Sequence, residues 1–212
     1  MANVSPARGL DVLTAVMLGL VSVVTALGAW QASAWSSTAE ELSRDSVDAR
    51  DVSINLAVLA EQAVRIDREA ITEAAYLWKQ GESTEDPVEA MLLELRVTAA
   101  LGTAAESARL GWQGWREAGF APEADPMRDP AYLAERHQDH ESYAQASVTA
   151  AAIAAQYNAK SGVIAQAALI HAVALFLFGI AGVNRLPAVR TAVVVLGCLV
   201  FLGGLALAVT AF

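Results

Sequence analysis

From Val12 to Ala39 the chain reads VLTAVMLGLVSVVTALGAWQASAWSSTA, 28 residues without one Asp, Glu, Lys or Arg. A helix needs about 20 mostly apolar residues to cross a bilayer, and this run supplies them. Two further charge-free runs, Ser161–Asn184 and Thr191–Phe212, are 24 and 22 residues long. The pattern predicts three transmembrane helices, near 11–32, 162–183 and 190–211. The first run also carries Ala32-Ser33-Ala34, which resembles a signal-peptidase site. It is longer than the 7–15 residues typical of a cleaved signal, so its length predicts an anchor.

The rest of the composition agrees with a membrane chain. Of 212 residues, 55% are hydrophobic and 17% are charged, against about 25% charged in an ordinary soluble domain. The lone Cys198 excludes an intrachain disulfide and a Cys-rich metal knuckle. Residues 33–160 hold 11 Lys/Arg and 22 Asp/Glu, a net of −11. Such an acidic stretch argues against nucleic acid, which calls for basic patches. The predicted domains are therefore 1–32, with the first span; 33–160, acidic and helical; and 161–212, with the second and third spans.

Arg-rich short loops stay in the cytoplasm. Asn184-Arg185-Leu186-Pro187-Ala188-Val189-Arg190 carries two Arg and no acid, and Arg8 precedes the first span. The N-terminus and the 184–190 loop are therefore expected on the cytoplasmic side of a cell membrane, with 33–160 extracytoplasmic and Phe212 at the outer face. Trp30 and Trp35 suit the outer interface, where belt aromatics gather.

Between Ala29 and Gln80 there is neither Gly nor Pro, and Ala, Glu, Leu and Arg are good helix formers. Val52, Leu56, Leu59, Ala63, Ile66, Ala70 and Leu77 fall in a 4-3 spacing, with Glu73 the polar exception, which predicts a coiled-coil seam. One helix is expected from the membrane to about residue 80. Over 33–80 it would rise about 70 Å at about 1.5 Å per residue. Asp86-Pro87 and Asp129-Pro130 read as helix starts. A chain that returns to the membrane needs an even number of helices outside it, and Leu101-Gly102-Thr103 with Glu106 supplies a break and a Thr-x-x-Glu capping box. The expected fold class is all-α: three transmembrane helices with a long antiparallel stalk, 33–80 against 131–160, capped by the hairpin 87–101/103–118. A four-helix bundle kinked near residue 57 is the alternative.

Four constellations could carry function. Asp11, Thr14, Ser22 and Thr25 fall within about 80° of one helical face. They read either as pore-lining residues or as a small, polar packing face. His171 in the second span is a further pore-lining or proton-responsive residue, or an imidazole bonded between helices. Trp112 and Trp115, flanked by Gly111 and Gly114, read either as a small core at the cap or as a surface that binds a partner. His137, His140 and Glu141 share a helical face at i, i+3 and i+4 and form a possible metal ligand set; a polar surface face is the plainer reading. No catalytic triad order, phosphate loop or dinucleotide fingerprint occurs. The sequence is expected to be non-enzymatic and to need no cofactor.

The stretch Leu18–Ala32, LGLVSVVTALGAWQA, with Trp35-Ser36, and Gln156-Tyr157-Asn158-Ala159-Lys160-Ser161 entering the second span, resemble small uncharacterised membrane proteins of bacteria. The resemblance implies one span, a helical extramembrane segment and a terminal pair of spans, and no activity. The expected function is a non-enzymatic homo-oligomeric assembly in the lipid bilayer, with a cation-permeable pore as its sharper form. The alternative is a sensory or accessory subunit whose outer domain binds a ligand or a protein partner at the distal cap. No nucleic acid is expected as a partner.

Overall fold

The computed structural model describes the backbone from Pro6 to Phe212 and the side chains from Gly9 onward. Arg8, invoked above for orientation, has its side chain outside the described residues. The described chain is all-α. Helix α1 spans Pro6–Ser83, α2 Pro87–Leu101, α3 Glu106–Glu117, α4 Pro130–Val183 and α5 Pro187–Val209. Two short 3-10 turns, Pro122–Ala124 and Pro126–Arg128, bridge α3 to α4. Three helices are long and apolar enough to cross a membrane: α1, α4 and α5. The turn between α2 and α3 falls where Gly102 predicts it, and α1 runs without a break past residue 57.

The helix starts are local chemistry. Asp86 Oδ1 accepts from the Val88 amide at 2.9 Å, and Asp129 Oδ1 accepts from the Ala131 amide at 2.9 Å. Each occupies an orphan donor of a first turn, with Pro at N1 where no donor is needed. The capping box is not formed. The Thr103 hydroxyl donates back to Ala100 O at 2.8 Å, and the N-cap of α3 is Ala105, whose own side chain offers no acceptor.

Two compact units result. The first comprises residues up to Ser46 together with Thr149–Phe212. In it α1, α4 and α5 pack around Val21, Ala174, Phe178, Ala181, Val194 and Phe201. A second cluster joins Ala32, Ile164 and Ala211, and the Ser161 hydroxyl donates to Ala32 O at 2.8 Å.

The second unit is Val47–Val148. Here α1 and α4 run antiparallel: Ser53 meets His140 and Asp67 meets Tyr132. The hairpin α2/α3 packs on the 64–78 segment of α1. The core holds Val64, Ile71, Leu77, Leu93, Val97, Trp112, Met127 and Tyr132, with alanines between them.

Over 52–66 the buried stripe of α1 lies one residue away from the predicted seam, whereas Ala70 and Leu77 of that seam are buried in the core. Val52, Leu59 and Ile66 are 39%, 58% and 51% exposed. The buried positions Ser53, Ala60, Val64, Asp67, Ile71 and Ala74 fall at 4-3 spacing if Ala57 and Trp78 are included, and toward the distal end Ala70 and Leu77 of the predicted seam are buried beside them. One residue is about 100° of helix, so the buried stripe is turned by that angle from the one that the largest apolar side chains mark.

Gly111 shows why a glycine sits beside Trp112. A Cβ there would stand 2.6 Å from Pro126 Cβ, and Pro126 is buried against this face of α3. Gly111→Ala is expected to cost about 1–3 kcal/mol through overpacking, whereas Gly114→Ala, with nothing within 4 Å, is expected to gain a few tenths through helix propensity. Urea titrations of the two variants followed by tryptophan fluorescence check this. Equal stabilities would show that Pro126 yields without cost.

Candidate functional site

The buried polar centre of the 47–148 unit is Asp67. Its side chain is 2% exposed, on a helix whose neighbouring positions carry Arg65, Arg68 and Glu69. Oδ1 accepts from the Ala105 amide at 2.9 Å, so α1 supplies the N-cap that α3 lacks locally. Oδ2 accepts from the Tyr132 hydroxyl at 2.7 Å and from Arg136 Nε at 2.9 Å, with Nη2 beside it. A buried carboxylate is tolerable only when paired and fully hydrogen-bonded, and here the start of α3 and two side chains of α4 meet that need. Burial, and then the bond to Asp67, push the Tyr132 phenol up to about 12. For Arg136, burial works against the charge, but the bonds to Asp67 and Tyr132 outweigh it and hold its pKa above the ordinary value.

A pH dependence follows. The Tyr132 pKa is raised on folding, so its contribution is full below the unfolded value near pH 10 and is lost as pH rises toward 12. The stability of the helical unit is expected to fall through that window by an amount on the order of 3 kcal/mol. Tyr132→Phe should flatten that part of the curve. Melting curves between pH 9 and 12 test this, and parallel curves for the two proteins would refute it.

Next to this centre is a cluster of aromatic and cationic side chains. Trp112 is 3% exposed and meets Trp78 edge-on, with ring centroids 6.1 Å apart. Trp115 is half-buried; its Nε1 donates to Ala121 O at 2.9 Å, and its ring meets Phe120 at 5.1 Å. The Arg116 guanidinium lies 4.6 Å from the Trp78 ring centre and 5.3 Å from that of Trp112. Trp112 and Trp115 are therefore packing residues of this unit and not an exposed aromatic patch. Phe120 takes a left-handed backbone at φ 63° after Gly119 at φ 68°, a conformation held by its contacts with Trp112 and Trp115.

The histidine pair does not assemble a metal site. Among the described residues, no group of three or more His, Cys, Asp or Glu side chains is placed to hold a metal ion. His140 Nδ1 lies 3.0 Å from Ser53 Oγ and 3.1 Å from Ser53 O, which ties α4 to α1. His137 Nε2 is 3.9 Å from Glu61, and Glu141 is exposed. The metal expectation for His137, His140 and Glu141 is thus corrected: the two rings serve the contact between helices.

The stripe in the first span is divided. Thr14 is buried at 3% exposure, Thr25 is half-buried, and Ser22 is exposed. Each hydroxyl donates to a carbonyl of its own helix: Thr14 to Leu10, Ser22 to Leu18 and Thr25 to Val21, at 2.7–2.8 Å. Asp11 pairs with Arg190 of α5. His171 is 2% exposed and tilted against Phe201, with ring centroids 5.2 Å apart. Its Nε2 has no hydrogen-bond partner. A Cβ on Gly204 would come within 2.7 Å of this ring. Likewise, a Cβ on Gly197 would meet the Phe178 ring at 3.1 Å. Two glycines of α5 thus each receive a ring from α4, the close approach by which membrane helices pack.

A surface cleft of about 320 Å³ lies along α3, lined by Glu106, Arg109, Leu110, Trp112, Gln113 and Arg116 and closed by Leu101 at the end of α2. The sequence does not flag it, because its residues look like the ordinary polar face of a short helix. Comparison with protein-family models, curated proteins and solved structures returns no match.

Proposed function

We propose that this protein is a non-enzymatic sensory or accessory subunit of a cell membrane, whose extracytoplasmic helical domain recognises a ligand and passes the change to its spans. The observation that carries the reading is helix continuity. Both α1 and α4 contribute to the core of the 47–148 unit and continue unbroken into apolar segments long enough to span. No loop intervenes, so a shift of either helix in the domain is transmitted through hydrogen-bonded backbone. The N-terminus and the 184–190 loop are assigned to the cytoplasm by their arginines.

The homo-oligomeric cation pore has less support. The interior of the three-helix unit is filled by Val21, Phe178, Val194 and Phe201. A conduit would have to lie between copies, where α1 presents Val12, Val16, Leu20, Val23 and Leu27 and a single hydroxyl, Ser22.

The test exploits the Ser161–Ala32 contact. Ala32→Cys with Ser161→Cys, in a Cys198→Ser background, reports helix position through its rate of disulfide formation in a bilayer. Loosening the helical domain with Tyr132→Phe is expected to change that rate several-fold. An unchanged rate, with the domain measurably loosened, would overturn the reading.

A further inference from the structure

The α3 cleft has the chemistry of a binding site. It lies in a stretch of net charge −11, yet it contains two guanidiniums. Arg109 makes no ion pair among the described residues. Arg116 rests on the faces of Trp78 and Trp112 and also lacks a carboxylate partner there. Gln113 lies between them, one turn from Arg109. These three supply the forked donors and the amide that carboxylates accept from.

Trp112 adds a second, independent observation. It is 3% exposed, lines the cleft, and keeps its indole Nε1 buried with no hydrogen-bond partner. An unpaired buried donor costs about 1–3 kcal/mol, so an acceptor is wanted here. Leu101, Leu110 and the Trp112 ring give the cleft an apolar wall. Glu106 stands at the opposite end of the lining, one turn from Arg109, without pairing to it. Its charge disfavours a dianion and suits an ammonium group. One turn rises about 5.4 Å, so Glu106 and Arg109 can reach the two charges of one small zwitterion from opposite sides. The volume is at the lower end of ligand sites, about 300–1,000 Å³.

We propose that the α3 cleft binds a small zwitterion with an apolar body, the chemistry of an apolar α-amino acid. Arg109, Gln113, Arg116 and the Trp112 Nε1 donate to the carboxylate, Glu106 takes the ammonium, and Leu101 and Leu110 take the side chain. This rests on the sensory reading above and names the ligand class for its domain.

The experiment is a calorimetric titration of the full-length protein in mild detergent with L-leucine, 4-methylpentanoate and 3-methylbutylamine. Leucine should bind saturably. The two analogues, each lacking one charge, should bind at least about tenfold more weakly, the scale of one lost charge-assisted bond. Arg109→Gln and Glu106→Gln, both exposed side chains, should each weaken leucine by a similar factor with the melting temperature unchanged. Saturable heat absent up to tens of millimolar leucine would overturn the site, as would variants that bind like wild type. Equal affinity for 4-methylpentanoate would overturn the zwitterion assignment. The disulfide-rate assay separates the two claims. A rate that responds to Tyr132→Phe in a protein that ignores leucine retires the cleft and keeps the coupling. Leucine binding with an unresponsive rate does the reverse.

Discussion

Asp67→Asn is expected to destabilise the 47–148 unit by about 3–5 kcal/mol, the cost of removing one partner from a buried charge network. The asparagine keeps the shape and can still accept from the Ala105 amide. Its NH2, however, then faces Arg136 and the Tyr132 hydroxyl, which are donors to the native carboxylate. The guanidinium is left partly buried and uncompensated. Urea unfolding of the full chain in detergent, read through the tryptophans at 78, 112 and 115, measures the loss. A partner experiment separates charge from packing. Asp67→Asn combined with Arg136→Met should recover part of the loss, since it removes the uncompensated buried charge that Asp67→Asn alone leaves behind. A loss below about 1 kcal/mol for Asp67→Asn alone, the range of exposed pairs, would mean that this network contributes no more than a surface salt bridge.

The second large effect is expected in the three-helix unit. Gly204→Val places a branched side chain where a Cβ alone would lie 2.7 Å from the His171 ring and 3.2 Å from Ile170 Cγ2. The imidazole is buried against Phe201, so it has little room to withdraw. Overpacking of this kind costs about 1–3 kcal/mol or more, and here it pushes α4 from α5. The yield of folded protein in mild detergent should fall sharply, and the melting temperature of what remains should drop. His171→Ala on its own should leave a cavity and a smaller loss. The two changes together should be milder than their sum, because the ring that clashes is the ring removed. Additive losses would show that His171 and Gly204 do not meet.

These residues also mark how far the sequence was legible. The three spans and the Asp86-Pro87 and Asp129-Pro130 starts could be read because each depends on local chemistry: absence of charge, or a side-chain acceptor two residues before an orphan amide. The break at Gly102 could be read for the same reason. The seam could not be placed to the residue. Leu59 and Ile66 draw the eye as large apolar side chains yet are exposed, while the buried side of α1 mixes Ser53, Ala60 and Ala74 with Val64, Ile71 and Leu77. Small side chains let helices approach closely, and hydrophobicity alone ranks them low. Asp67 lies among Arg65, Arg68 and Glu69, where a carboxylate looks like one more solvated charge. Its partners are 38, 65 and 69 residues away, and no local pattern encodes them. The capping box failed for a related reason. The acceptor for the start of α3 comes from a distant helix, which leaves Thr103 free to bond backwards. The sequence offered two readings for Trp112, and the structure buries its ring in the core. The histidines, paired on one helical face, turn toward Ser53 and Glu61 of another helix and not toward a shared ion.

The ring-on-glycine contacts also act as a vernier between α4 and α5. His171 and Phe178 are seven residues apart, and so are Gly197 and Gly204, which receive them in reverse order. A slip of one heptad would bring Phe178 opposite Gly204 but His171 opposite Ala211, which lies beyond α5 and carries the Cβ that a glycine lacks. The contact surface by itself therefore favours one setting. Only residues 184–186 separate the end of α4 from the start of α5, and the Leu186 amide is held by Asn184 Oδ1 at 2.9 Å. Such a connection has no slack for seven residues. Thus the ring-on-glycine surface and the length of the turn select the same setting.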